Sequence, residues 1–396
     1  MGEALDVLFA HLPKLGREEV PLDRALGRVL AADVTSAIDV PHFVKASMDG
    51  YAVAASDTFG AKDSGPISLH VADVVTPGER GVESVGGGRC VEISTGAAIP
   101  RGANAVVMVE NTDPADDDVL VRRPVSPGEN TIGVGSDISE GNQVLSAGTV
   151  LEPRHLGVLA AIGSRSAQVF VKPRVALFST GPELIAGDSA LTEGKIFDIN
   201  SFTLGAALIS DGCDVNRLGL VADDLVTLIA VLRSALAESD LVILSGGSSL
   251  GRGDLVAEAF TAMGSLLIHG VAVKPGKPLA VGVASIDQGP ERVMIGLPGY
   301  PMSALSDYYV FVRPYLKRAM QVTSIDRFVG ATLSRKHPSA IGRYEFLPVK
   351  LQGRKAVPIG KGSSSITALS EADGFIEIDE NVEVLEAGAS VSVRLF

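Results

Sequence analysis

Two cysteines in 396 residues, Cys90 and Cys213, lie far apart and outside any CxxC or His-flanked cluster. Neither a disulfide framework nor a structural zinc site is compatible with that spacing, and both read as small core residues. Long apolar runs are also missing. Although 46% of the residues are hydrophobic and the mean hydropathy is +0.29, no run approaches the ~20 residues that a membrane span requires. A soluble protein with no membrane partner is expected. The opening residues carry Glu3, Asp6 and His11 among their leucines instead of a basic stretch followed by an apolar one, which points away from export and toward the cytoplasm. Basic charge is in deficit, with 34 Lys and Arg against 47 Asp and Glu and a net charge of −13. Nucleic-acid backbones are held by basic stripes, so no nucleic-acid partner is expected, and an anionic ligand would need a local basic pocket. No internal repeat or low-complexity linker is visible.

The length exceeds what one hydrophobic core supports, so several domains are expected. Leu5, Leu8, Phe9 and Leu12 recur at helical spacing, and a short helix through Leu26 is ended by Gly27. From Tyr51 to Val125 short β-branched runs alternate with Gly, Pro and Asp, which predicts a small β-rich domain. Asp113 to Asp118 reads as a solvated hairpin or loop tip in preference to a metal cluster. A helix is predicted from about Pro153 to Ile162. Between Arg174 and about Met320 buried strand candidates, Val175–Phe178 and Leu241–Leu244 first, alternate with helices such as the one striped by Leu225, Leu228, Ile229, Leu232 and Leu236. Further strands are expected at Leu266–Val273, Leu279–Val283 and Val293–Leu297, and a helix from about Met302 to Met320. This rhythm predicts a three-layer α/β domain with a mostly parallel sheet. After Thr323 only short strands remain, as in a small closed β-barrel.

Ligands of open parallel sheets bind beyond the carboxyl ends of the strands, where glycine-rich loops let backbone N–H groups approach an anion. Three such loops follow strand candidates: Ser179 to Glu183 with Gly181, Ser245 to Asp254 with Gly246 and Gly247, and Gly296 to Ser303 with Pro298 and Gly299. Any one of them is also what a tight βα connection looks like; three in succession are harder to explain that way. Lys274-Pro275-Gly276-Lys277-Pro278 supplies positive charge, since two prolines stiffen a turn carrying two ammonium groups, which suits a compact dianion. Asp198 and Asp254 are candidate oxygen ligands for Mg²⁺, with helix capping as the ordinary alternative. Asp49, in Ser47 to Val53, and Thr95, in Ser94 to Ala97, stand beside glycines in segments that by spacing alone are turns.

In chain order, Ser47–Val53, Ser94–Pro100, Gly128–Ile138, Ser179–Leu184, Gly194–Ser201, Ser245–Asp254, Lys274–Pro278, Gly296–Ala304 and Gly342–Phe346 resemble the motifs of the molybdopterin molybdenumtransferase family, which includes the MoeA proteins and the gephyrin E domain. The resemblance runs from the first helix to the last strand. It implies four domains: an extended, partly helical first domain made of residues 1–45 and 126–172, a β-rich second of 46–125, an α/β molybdopterin-binding third of 173–322, and a β-barrel fourth of 323–396. It implies insertion of molybdate into adenylylated molybdopterin with Mg²⁺-dependent release of AMP. It further implies an elongated homodimer in which Asp49 and Thr95 act across the interface, with the upstream molybdopterin adenylyltransferase as a candidate partner. By position, Asp198 and Asp254 would hold the metal, with Glu183 beside them. Lys274, Lys277, Pro278, Ser303, Arg343, Ser363 and Ser364 would receive molybdate and the pterin phosphate. Tungstate is an equal candidate on size. Pro182, Tyr300 and Arg252 depart from the family pattern, as do Ile132 and Gly133. Two competing readings are the related adenylyltransferase, which would consume ATP with free molybdopterin, and a scaffold that uses the dimer surface.

Overall fold

The apolar runs become the inner strands of a six-stranded sheet. The computed structural model describes residues 1–79, 81, 84–247, 254–323, 326–360 and 365–396. Two compact units are described, one of residues 1–32, 147–152 and 167–396 and the other of residues 33–146 and 153–166.

In the first unit, β1 (Arg174–Thr180), β2 (Asp214–Val221), β3 (Leu241–Ser245), β4 (Ser265–His269), β5 (Ala280–Ser285) and β6 (Glu291–Leu297) lie in the order β2-β1-β3-β6-β5-β4. Strands β2, β1, β3 and β6 are parallel, with Val175 opposite Leu241 and Leu241 opposite Val293. The mostly parallel sheet expected from the sequence is therefore present, and β5 alone runs against the rest. Residues of β1 point alternately to the two faces. Val175 and Leu177 join Leu204, Leu208, Tyr308, Phe311 and Tyr315 on one side, while Ala176 and Phe178 join Leu228, Leu232, Val256 and Phe260 on the other. Those faces are covered by α1 (Asn200–Ser210), α2 (Leu225–Glu238), α3 (Leu255–Met263), α4 (Pro301–Asp307) and α5 (Arg313–Ala319), which gives the three layers.

Three expectations are refined. The helix from Met302 to Met320 is interrupted by a π-helical turn at Tyr308–Val312. It falls just before Pro314, which has no N–H and whose ring would clash with the carbonyl four residues earlier. The strand predicted from Leu266 to Val273 ends at His269, because Gly270 takes a φ of +92° and the chain leaves the sheet. The segment ending near Leu26 is a single 3-10 turn, Leu22–Arg24.

The barrel is built from β7 (Phe328–Leu333), β8 (Tyr344–Gln352), β9 (Lys355–Pro358), β10 (Gly374–Ile378) and β11 (Ser390–Leu395). Pairing runs β8-β9-β7-β11-β10, and β10 closes on β8, so no edge is left open. Leu347, Val349, Ile376 and Val393 fill its interior. The opposite faces of β8 and β10 present Phe346 and Phe375, stacked with centroids 3.9 Å apart, to Tyr309 of the π-helical turn. A two-residue strand, Val273–Lys274, pairs in parallel with Tyr344 and Glu345 on β8. The turn that follows it thus begins on the barrel and ends on the sheet.

The second unit holds a six-stranded sheet in the order Ala105–Met108, Gly50–Val53, Arg89–Ile93, Ile67–Val75, Asp118–Val121, Thr112–Ala115. The last two strands form the acidic hairpin, with Asp116 at a φ of +50° in its turn. Cys90 in this unit and Cys213 in the first are buried and free, and burial pushes both thiols up to about 12. Among the described residues no helix is long and apolar enough to cross a membrane.

Candidate functional site

The three glycine loops converge at the carboxyl ends of β1, β3 and β6, and one buried asparagine ties the second and third together. Asn200, at the start of α1, donates through Nδ2 to Ser245 Oγ at 2.7 Å and to the Gly299 carbonyl at 2.8 Å. Ser245 Oγ in turn donates to the Pro298 carbonyl. Gly246, at a φ of +94°, packs so closely on the first loop that a Cβ there would stand 2.0 Å from the Thr180 carbonyl oxygen. Glu183 is exposed and folds over Gly181. Gly247 ends the described part of the second loop.

The two candidate metal ligands sit differently. Asp198 Oδ1 accepts from Ser179 Oγ at 2.9 Å and from the Ser201 N–H at 3.2 Å, and Oδ2 has no partner among the described residues. Asp254 is 5% exposed and caps α3: Oδ1 accepts from the Val256 and Ala257 N–H groups, while Oδ2 pairs with His269 Nε2 at 2.9 Å. The capping alternative is thus realised at Asp254. Among the described residues no group of three or more His, Cys, Asp or Glu forms a metal cage. One free carboxylate oxygen at Asp198 and one shared oxygen at Asp254 suit Mg²⁺, which usually takes one or two carboxylates and completes its shell with water and substrate phosphate.

The lysine turn lines a cavity of about 470 Å³ between the sheet and the barrel, within the range of small-molecule sites. Lys274, Lys277, Pro278, Ser303 and Arg343 all line it, so five of the residues singled out in the sequence meet there. Ser363 and Ser364 lie outside the described residues. Two lining residues had no distinguishing signal in the sequence, Arg335 and His337, and a third, Glu345, lay inside the Gly342–Phe346 motif without being singled out. Four basic side chains against one carboxylate leave three net positive charges in a protein whose total is −13. Glu345 is 4% exposed and fully engaged. Its Oε1 takes His337 Nε2 at 3.0 Å and Lys274 Nζ at 3.2 Å, and its Oε2 takes Ser339 Oγ at 3.0 Å. Arg335 donates to the Pro358 carbonyl.

Gly276, at a φ of +128°, is a position only glycine can hold, since a Cβ would meet Asp307 Oδ1 at 1.9 Å. Asp307 itself is fully buried with neither oxygen partnered among the described residues, and burial pushes its carboxyl well above the usual carboxylate range.

In the second unit the antiparallel pairing of Gly50 with Ile93 brings Asp49 and Thr95 together. The Thr95 N–H donates to Asp49 Oδ1 at 2.7 Å and its hydroxyl at 2.9 Å, and these two bonds hold the exposed carboxyl below the ordinary value. The expected turn is present, closed by the Ala97 N–H on the Ser94 carbonyl, and Thr95 within it orients Asp49.

A parallel sheet with convergent glycine loops, next to a cationic pocket closed by a small barrel, defines a multidomain protein whose site has the chemistry to receive anions. Three family models match in succession: the MoeA N-terminal region (domain I and II) at residues 1–163, a probable molybdopterin binding domain at 176–318, and the MoeA C-terminal region (domain IV) at 330–396. A putative molybdopterin biosynthesis protein from Methanocaldococcus jannaschii is 34% identical over 387 residues, 96% of this chain and 92% of that one. The molybdopterin molybdenumtransferase 2 of Mycobacterium tuberculosis is 35% identical, covering 94% of each. The crystal structure of the molybdopterin biosynthesis MoeA protein from Pyrococcus horikoshii OT3 superposes with a TM-score of 0.88 at 33% identity, covering 100% of this chain and 99% of that one. The chain belongs to the MoeA family of molybdopterin molybdenumtransferases.

Proposed function

We propose that this chain is an enzyme of molybdenum cofactor biosynthesis that inserts molybdenum into molybdopterin. The substrate is adenylylated molybdopterin, and insertion is coupled to release of AMP. The reading rests above all on the pocket where Lys274, Lys277, Arg335 and Arg343 face one cavity. Ammonium and guanidinium groups are the donors that suit a tetrahedral dianion. Ser303 adds a hydroxyl, Pro278 a rigid wall, and Ser363 and Ser364 are assigned to the same anion. The converging loops at Gly181, Ser245, Gly246, Gly247, Pro298 and Gly299 hold the pterin and its nucleotide by backbone donors. Asp198 and Asp254 would hold Mg²⁺, with Glu183 beside them. When bound, the ion neutralises charge on the bridging phosphates.

The four-domain division belongs to this reading: 1–45 with 126–172, 46–125, 173–322 and 323–396. So does a cytoplasmic homodimer, in which Asp49 and Thr95 act on the site of the other subunit, supplied by an upstream adenylyltransferase. Incubation with adenylylated molybdopterin, Mg²⁺ and molybdate should release AMP and leave a metal-bound pterin; absence of AMP release rejects the reading. Competition between molybdate and tungstate in the same assay establishes which oxyanion is preferred, since the two differ too little in size for a static pocket to separate them.

A further inference from the structure

Joining molybdate to an enedithiol is a proton-transfer problem as well as a binding problem. Two S–H bonds break and two Mo–S bonds form, while one Mo–O bond breaks and its oxygen leaves as water carrying both sulfur protons. No electron changes hands, and the metal group keeps its two negative charges. Oxide is too poor a leaving group to depart unprotonated, so a group that takes a proton from sulfur and gives it to that oxygen lowers the barrier. Such a group needs a lone pair to take the proton and a hydrogen to give back, and a neutral imidazole carries both on one ring.

One imidazole lines the cavity among the described residues, that of His337. Its Nε2 lies 3.0 Å from Oε1 of Glu345, a buried carboxylate that also receives Lys274 and Ser339. A carboxylate only accepts, so Nε2 bears the hydrogen and Nδ1 carries the lone pair of the neutral ring. Nδ1 has no partner among the described residues, and the side chain is 20% exposed. This is the arrangement by which a carboxylate fixes the tautomer and aim of a catalytic histidine.

We propose that His337 is a catalytic residue of molybdenum insertion, shuttling protons from the enedithiol sulfurs to the departing molybdate oxygen, and that Glu345 is the positioning residue that holds its ring. The proposal rests on the molybdate-binding reading of the pocket. The charged groups around the ring are Glu345 on Nε2, Lys274 on the same carboxylate, and Lys277, Arg335 and Arg343 on the cavity wall; Lys336, the preceding residue, is paired with Glu386.

The test compares the full-length wild type with His337→Gln, whose amide can still donate to Glu345 but cannot act as a base, and with His337→Ala. Molybdate binding is measured by calorimetry, and insertion at saturating molybdate is followed across pH. Expected are molybdate affinity within about threefold of wild type for His337→Gln, insertion slowed by about 10²- to 10⁴-fold, the usual share of general acid–base catalysis, and loss of the acid limb of the profile. Added imidazole should partly restore His337→Ala. Near wild-type insertion by His337→Gln with an unchanged acid limb overturns the proposal. A molybdate affinity that falls as steeply as the rate also overturns it, since His337 would then be a binding group. If the wild type binds no molybdate, the reading of the pocket fails first, and the two failures are thereby told apart.

Discussion

Replacing Asp307 by asparagine should change the shape of the protein little and its response to pH a great deal. The side chain is completely buried beneath Gly276, neither oxygen has a partner among the described residues, and burial raises the carboxyl well above its ordinary 3.8. Between 3.8 and the raised native value, the folded chain keeps a proton that the unfolded chain has already shed. Stability therefore falls as pH rises through that window, by about 1.4 kcal/mol per pH unit, and levels off only above the native value. Asparagine cannot ionise, so stability measured as variant minus wild type should climb with this slope as pH rises above the ordinary carboxylate range and flatten only past the raised native value. The unpaired amide adds a cost of about 1–3 kcal/mol of its own, but that offset does not vary with pH. Urea titrations of both proteins at pH 5, 6 and 7, followed by circular dichroism because the chain has no tryptophan, give the difference directly. Other titrating groups cancel in it when they lie far from the substitution. Parallel stability curves for the two proteins would refute the reasoning and mean that Asp307 is ionised in the folded protein.

Gly276→Ala should cost about 1–3 kcal/mol in the same denaturation assay, the usual penalty for forcing atoms into a filled site, and should weaken molybdate binding because the lysine turn must move. Lys274→Ala and Arg343→Ala should each weaken molybdate binding by about 10- to 100-fold in calorimetry, the loss of one charge-assisted bond. Asp254→Asn keeps the cap of α3 and should unfold like wild type, whereas Asp254→Ala should lose about 1 kcal/mol; both should fail to release AMP. Thr95→Ala removes the hydroxyl but not the backbone donor, so an NMR titration should find the Asp49 carboxyl moved part of the way back up toward its ordinary value.

Much of the fold was legible because its strands are buried on both faces. Val175 to Phe178 and Leu241 to Leu244 are apolar throughout, and the stripe on α2 leaves little else for its segment to be. Direction was not legible, since an apolar run such as Ala280–Ser285 reads alike whether it runs with or against its neighbours. The π-helical turn escaped notice because Pro314 marks a fault in a helix without saying how the backbone absorbs it. In the pocket, the Pro-framed lysines announced themselves. His337 did not, and Glu345 stood inside the Gly342–Phe346 motif with no role attached, because only the pairing of Val273–Lys274 with Tyr344 and Glu345 brings them beside the turn. Asp307 sat inside an apolar helical pattern, where one carboxylate reads as a solvent-facing position.

The short strand Val273–Lys274 is hydrogen-bonded to the barrel, while the turn it opens leads straight into β5 of the sheet. A dianion seated on that turn would work as a rivet, gripping cations contributed by both bodies. By mass action, any ligand that grips only the folded form at 100 times its Kd adds about 2.7 kcal/mol to stability. Melting temperature should therefore serve as a gauge of oxyanion occupancy, sensitive to molybdate even when no pterin is present.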